Sequence, residues 1–86
     1  MGKRSRRAKR RPKWMSARLT PRQHDVLILI ARGMSEPQIA RRWRRSPQTI
    51  HAHAEAVRRA FGAHSRVQLV VRALAAGTIR LKEVVT

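Results

Sequence analysis

The stretch "RRSPQTIHAHAEAVRRAFGAHSR", residues 44–66, decides the fold of this chain. Ser46 followed by Pro47 is typical of a helix start, because serine caps free N–H groups and proline fits the first helical position. Apolar residues then recur at helical spacing up to Gly62, at Ile50, Ala54, Val57 and Phe61. The pattern predicts one amphipathic helix over residues 46–61.

The same signals predict three further helices around this one. Each begins at a hydroxyl-bearing cap, and glycines stand where left-handed backbone would stop a helix. The expected limits are residues 20–32 before Gly33, residues 35–43, and residues 65–76 before Gly77. We therefore expect an all-α domain of four short helices over residues 19–79. The stretch "TIRLKEVVT", residues 78–86, is interpreted as either a frayed extension or a short strand, and residues 80–86 form the C-terminal tail outside the domain.

Helical wheels divide the apolar residues into a core and a second, outward set. The expected core residues outside the helix 46–61 are Leu19, Gln23, Val26, Leu27, Ile30, Ile39, Ala40, Trp43, Leu69, Val70 and Ala73. Single exposed apolar residues are normal, but a stripe of them suggests an interface. Val67, Val71 and Leu74 form such a stripe, so we predict a dimer or partner surface there, with Ile28 as a further exposed member.

Charge restricts the class of partner. The 86 residues include 21 basic and four acidic ones, giving a net charge of +17. Self-repulsion of that size usually accompanies a polyanionic partner, nucleic acid first and an anionic membrane surface second. There is no cysteine, and the longest apolar run, "VLILIA" at 26–31, is far too short to span a bilayer. We expect a cytoplasmic protein with no membrane association.

The N-terminal segment, residues 1–18, contains nine basic residues and no acid. A block of like charge with few apolar residues cannot bury enough surface to fold alone, so we predict a disordered arm that binds phosphates. The arm residues expected to contact phosphate are Lys9, Arg10, Arg11 and Lys13. Trp14 is the exception, either anchoring the arm to the domain or stacking on a base or sugar.

The outward face of the helix 46–61 has the chemistry of a DNA-reading surface. A short helix, a tight turn and a second helix with a polar outer face are what major-groove recognition requires. The residues predicted to read bases are Gln48, His51, Ala52 and Glu55. The residues of the turn and helix predicted to contact phosphate are Arg44, Arg45, Ser46, Thr49, Arg58 and Arg59.

Four stretches in order resemble the LuxR/GerE-type helix-turn-helix domain of bacterial transcription regulators. They are "LTPRQHDVLILIARGMSEPQIA" (19–40), "SPQTIHAH" (46–53), "FGAHSRVQLV" (61–70) and "AAGTI" (75–79). The resemblance implies a four-helix bundle whose third helix enters the major groove of DNA and whose fourth helix commonly forms a dimer. We expect no sensing domain before the module, and therefore a stand-alone regulator with the basic arm in that place.

Carried over by position, the resemblance assigns several roles. Ser46 matches the cap of the recognition helix and Thr49 a phosphate contact. His51 stands where the family usually has a lysine that contacts DNA, Ala52 where a small residue meets a base edge, and Glu55 at a reading position one turn on. The turn departs from the family, which normally has a glycine and then an apolar residue at positions 44 and 45. Two arginines there indicate a phosphate clamp.

The residues present also argue against a metal site, a cofactor site or an active site. His51 and His53 point in nearly opposite directions on a helix, so we predict no metal site, and we predict no cofactor and no catalysis. The preferred interpretation is a sequence-specific regulator that binds double-stranded DNA. A second interpretation is a small factor that docks on RNA polymerase or another protein. A third, an RNA- or ribosome-associated protein, is disfavoured because A-form RNA hides its major groove from a helix.

Overall fold

A computed structural model describes residues 11–85. These residues form helices joined by turns and links, and they contain no strand. A 3₁₀ turn at Lys13–Ser16 precedes five α-helices. They are α1 (Pro21–Ala31), α2 (Glu36–Trp43), α3 (Pro47–Phe61), α4 (Arg66–Ala75) and α5 (Leu81–Val84). The all-α fold and its four principal helices are thereby confirmed. The alternative of a strand in the C-terminal tail is wrong, because residues 81–84 form a turn of helix.

The four principal helices begin at the predicted caps. In each, the cap side chain accepts a hydrogen bond from the backbone N–H three residues on, at Thr20, Ser35, Ser46 and Ser65. In α1 and α2 the bond is reciprocated, since the cap N–H donates to Gln23 Oε1 at 3.0 Å and to Gln38 Oε1 at 2.8 Å. Gln23, expected on the buried stripe, therefore completes the cap of α1.

The core lies around α3, which packs against α1, α2 and α4. Its buried residues include the predicted stripe of α3 and most of the predicted apolar residues of the other helices. Trp43 and Val70, expected in the core, are only half-buried. Three buried residues are absent from the predicted core, namely Leu29, Ala63 and Ile79. Ala63 and Ile79 lie in links, where a helical wheel gives no information.

The end of α2 differs from the other helix ends in its backbone. Gly62 ends α3 with φ of 56°, in the left-handed region that glycine tolerates. Arg44 takes the same conformation at the end of α2, with φ of 53°, and among the described residues it is the one non-glycine with positive φ. The helix-turn-helix turn therefore has the backbone of a glycine-type stop with an arginine in that place.

The N-terminal 3₁₀ turn packs against α3 and α4. Trp14 is half-buried against the core, and the Arg72 guanidinium lies over its ring, 5.3 Å from the centroid. Arg72 Nη1 also donates to the carbonyl oxygens of Phe61 and Gly62, at 2.7 and 2.9 Å. Within the predicted arm, Lys13–Ser16 form a 3₁₀ turn, and Trp14 anchors this turn to the domain, which is one of the two roles expected for Trp14.

The C-terminal segment docks on α1. His24 Nε2 donates to the Thr78 carbonyl oxygen at 3.0 Å, and Arg32 Nε donates to the Glu83 carbonyl oxygen at 2.7 Å. Val84 packs against the core from α5. These contacts join residues more than 50 positions apart in sequence and tie the tail to the first helix.

Candidate nucleic-acid interface

α2, the turn at residues 44–46 and α3 form a helix-turn-helix. α3 buries Ile50, Ala54 and Val57 against the domain, which directs the opposite side of its first two turns to solvent. Gln48, His51 and Ala52 are exposed on that side. Three of the four predicted base-reading residues therefore lie on one open surface, and Glu55, half-buried, lies at its edge.

A shallow cavity of about 360 Å³ opens on this surface between the start of α2 and the start of α3. It is lined by Glu36, Pro37, Pro47, Gln48, His51 and Ala52. The lining combines apolar prolines and an alanine with the polar ends of three side chains. Such a surface can receive both an apolar group, such as the methyl of thymine, and a hydrogen-bonding edge.

An ionic network ties the exposed face of α3 to the start of α2. Glu36, the first residue of α2, accepts a hydrogen bond at Oε1 from His51 Nδ1, at 2.9 Å. Its other oxygen, Oε2, accepts from Arg58 Nη2 at 3.3 Å. The sequence gives no sign of this role for Glu36, because its two partners belong to a different helix. One carboxylate thus links two residues of α3 that lie about two turns apart.

Glu55 joins the same network through Arg58. Both Nε and Nη2 of Arg58 donate to Glu55 Oε2, the first at 3.0 Å. The hydrogen bonds and charge of Arg58 lower the pKa of Glu55 below its usual value, and Glu55 in turn raises the pKa of Arg58. Base reading by Glu55 would need its carboxylate, and phosphate binding by Arg58 would need its guanidinium. In this structure the carboxylate and the guanidinium bind each other.

The turn between α2 and α3 concentrates positive charge. Arg41, Arg42, Arg44 and Arg45 are all exposed there. The N–H of Arg45 donates to the Ala40 carbonyl oxygen at 3.0 Å, which holds the turn tight against the end of α2. Both predicted phosphate-binding arginines of the turn therefore project beside the exposed start of α3.

Ser46 and Thr49 act together at the start of α3. Ser46 Oγ accepts from the Thr49 N–H at 3.1 Å, and the two hydroxyl oxygens are 2.8 Å apart. The predicted capping role of Ser46 is confirmed by this geometry. Both residues are exposed, and their phosphate contacts remain a prediction.

The other predicted phosphate contacts are spread around the domain. Arg59 is exposed on α3, and Arg11 and Lys13 are exposed at the N-terminal side. Lys9 and Arg10 lie outside the residues that the structure describes.

The predicted partner surface on α4 is smaller than the sequence indicates. Val67 and Val71 are 73% and 57% exposed, as a partner surface requires. Leu74 is half-buried and packs against the core. Ile28, predicted to lie opposite the buried stripe of the first helix, is also half-buried, beside Trp43 and Leu29. The wheel misplaces Ile28 because α2 covers that side of α1.

The histidines do not assemble into a metal site. His24 binds a backbone carbonyl and His51 binds Glu36. Across residues 11–85, no group of three or more histidine, cysteine, aspartate or glutamate side chains is placed to hold a metal ion. Over the same residues, no helix has the length and apolar content needed to cross a membrane.

Residues 17–73 match the model of the GerE family, described as bacterial regulatory proteins of the luxR family. The chain belongs to the LuxR family. The match covers the whole helix-turn-helix and most of α4. The family is one of DNA-binding transcriptional regulators rather than enzymes, which agrees with the exposed face of α3 and with the arginine-rich turn.

Relatives in mycobacteria are similar over most of the chain. They include "Putative HTH-type transcriptional regulator Mb0914c" of Mycobacterium bovis and the proteins of the same description, MT0914 and Rv0890c, of Mycobacterium tuberculosis. Each is 39% identical over 75 residues, which is 87% of this chain. The chain spans only 8% of the length of these relatives. No solved structure matches the chain.

Proposed function

We propose that this LuxR-family domain is a sequence-specific regulator of transcription that places α3 in the major groove of double-stranded DNA. The observation that carries the proposal is the exposed face of Gln48, His51 and Ala52 beside an arginine-rich turn. The major groove admits one α-helix, and its base edges are read by side chains of this polar and small apolar kind. Glu36 and Glu55 flank this face and restrain His51 and Arg58.

In the proposed mechanism, different residues supply the affinity for any duplex and the discrimination between base sequences. The phosphates on either side of the groove would be contacted by the turn arginines Arg44 and Arg45 and by the hydroxyls of Ser46 and Thr49. Arg59 and the N-terminal arm would make further phosphate contacts. Phosphate contacts fix the position of the protein but carry no sequence information. Discrimination would come from the reading face of α3. With a net charge of +17, binding to any duplex is expected to weaken steeply as salt is raised.

Competition between duplex DNA and duplex RNA of the same sequence, at one salt concentration, tests the groove assignment. B-form DNA presents a wide major groove, whereas the major groove of A-form RNA is too deep and narrow for a helix. We expect the DNA duplex to bind at least tenfold more tightly. Equal affinity would mean that only backbone charge is recognised and would contradict major-groove reading.

A homodimer through α4 is the second part of the proposal. Val67 and Val71 are one helical turn apart and more than half exposed, so they present an apolar ridge. Two copies joined there would bring two α3 helices to two half-sites. Sedimentation of the wild type and of Val71→Lys, each free and bound to DNA, tests this. A dimeric wild type and a monomeric Val71→Lys would support the proposal.

Docking on RNA polymerase is the less supported alternative. It depends on Ile28 as an exposed apolar residue, and Ile28 instead packs against the core. A pull-down from nuclease-treated lysate that retained polymerase would support the alternative.

A further inference from the structure

The contact between Glu36 and His51 determines what the histidine can offer to DNA. A carboxylate has only hydrogen-bond acceptors, so the 2.9 Å contact requires that His51 Nδ1 carry the hydrogen. A neutral imidazole has one N–H, and its other nitrogen is then an acceptor. Nε2 is the remaining ring nitrogen, on a side chain that is 60% exposed. Neutral His51 therefore offers an acceptor to an outside partner.

We propose that Glu36 is the specificity-determining positioning residue of the reading surface. By holding His51 as the Nδ1–H tautomer, it makes Nε2 an acceptor for the exocyclic amino group of adenine or cytosine. In the major groove these amino groups are the donors, whereas guanine N7 and O6 and thymine O4 are acceptors. The inference rests on the proposed function, because it concerns which base that same surface selects.

The position of Glu36 is itself fixed by a second contact. Arg58 Nη2 donates to Glu36 Oε2, so both oxygens of the carboxylate are engaged. The Glu36 side chain is 27% exposed, less than half the exposure of His51. Arg58 in turn is held by Glu55, one turn earlier on α3. The tautomer is therefore set by a chain of contacts that runs through α2 and α3.

The charges around His51 define what protonation would change. Glu36 contacts it from α2, while Glu55 interacts with it electrostatically along α3 and is paired with Arg58. A protonated His51 would keep its bond to Glu36 and turn Nε2 into a donor. Its partner would then be guanine, thymine or a phosphate.

The test compares wild type with Glu36→Gln in two measurements. Glutamine can either accept from or donate to Nδ1, so it no longer imposes one tautomer. Nitrogen-15 NMR of the free proteins reports the tautomer: we expect Nδ1–H in the wild type and a mixture in the variant. Binding to duplexes that differ at the His51-contacted position should show the wild type preferring adenine or cytosine over guanine. Glu36→Gln should reduce that preference by roughly fivefold, the value of one hydrogen bond.

Two controls separate this effect from charge and from folding. Asp25→Asn removes a negative charge from the exposed side of α1 and should raise affinity for all duplexes without changing preference. In a His51→Ala background, Glu36→Gln should leave base preference unchanged. Circular dichroism of each variant would check that it is folded.

The outcomes distinguish the inference from the proposed function. An Nε2–H tautomer in the wild type, or unchanged base preference in Glu36→Gln, would overturn the role of Glu36. A wild type that has the Nδ1–H tautomer but prefers no sequence would overturn the proposed function, and the base-selecting role of Glu36 with it.

Discussion

Arg58 donates two hydrogen bonds to one carboxylate oxygen of Glu55, three residues earlier on α3. The pair lies at the edge of the surface proposed to read DNA. Oε2 of Glu55 already accepts two guanidinium N–H groups, so only Oε1 would be available to a cytosine amino group. We propose that Glu55 restrains Arg58 and so limits phosphate binding, with base reading by Glu55 as the alternative.

Glu55→Gln is therefore expected to strengthen binding to every duplex alike, by severalfold at low salt. The substitution removes a negative charge near the proposed phosphate contacts and weakens the hydrogen bonds from Arg58 to residue 55. Anisotropy titrations over a series of salt concentrations would measure it, with Asp25→Asn as the control for net charge. A change in the selected sequence, without a general gain in affinity, would instead identify Glu55 as a reader.

The same pair predicts a dependence of stability on pH. Arg58 lowers the pKa of Glu55 in the folded state below its ordinary value of 4.5. A carboxylate whose pKa is depressed on folding stabilises the protein above its unfolded pKa. That contribution is lost as pH falls from about 4.5 through the lower, folded value. Urea unfolding in buffers on both sides of this range should show a smaller decline for Glu55→Gln than for the wild type. Parallel declines would contradict the coupling.

Arg44→Gly should change stability and DNA binding in opposite directions. Arg44 has a φ of 53°, which costs an ordinary residue about 1 kcal/mol relative to glycine. Glycine there should raise the free energy of unfolding by up to that amount. Removal of the guanidinium that we propose to contact phosphate should weaken binding to all sequences.

Arg45→Gly is the matched control for Arg44→Gly. It removes the same charge from a residue without positive φ, so it should weaken binding with no gain in stability. Thermal unfolding and anisotropy on the same samples would measure both effects. Equal stability changes in the two variants would show that the backbone of Arg44 is unstrained.

Deletion of residues 1–10 is expected to flatten the salt dependence of DNA binding and to leave thermal stability unchanged. The cut removes six basic residues but retains Trp14 and the 3₁₀ turn that packs on α3 and α4. The log–log slope should fall by roughly 0.9 for each phosphate that the arm no longer neutralises. A full-length variant with those six residues changed to glutamine controls for chain length. An unchanged slope in both proteins would exclude residues 1–10 as a phosphate-binding segment.

The sequence could predict structural features that depend on residues close together along the chain, such as helix caps and the buried face of a helix. The caps at Ser35 and Ser46 follow from hydroxyl side chains placed three residues before an N–H that each can bind. The buried stripe of α3 follows from a regular spacing that only one helical face satisfies. Local rules of this kind also locate the exposed residues Gln48 and His51.

Contacts between helices could not be predicted in this way. A wheel for α1 places Ile28 outward, because it contains no information that α2 covers that side. Glu36 looks like an ordinary residue in the first turn of a helix, yet it binds two residues of α3. Trp14 could be either an anchor or a base-stacking residue, and its contacts with the core and with Arg72 support the anchor. In each case the deciding partner is distant in sequence.

Selection of bound fragments from random duplex DNA tests the central claim most directly. The wild type, His51→Ala and Arg44→Gly would be selected in parallel and the bound fragments sequenced. We expect one defined motif for the wild type and the same motif for Arg44→Gly, bound more weakly. His51→Ala should return a motif altered at one or two adjacent positions. No enriched motif for the wild type, or an identical motif for His51→Ala, would contradict sequence reading by α3.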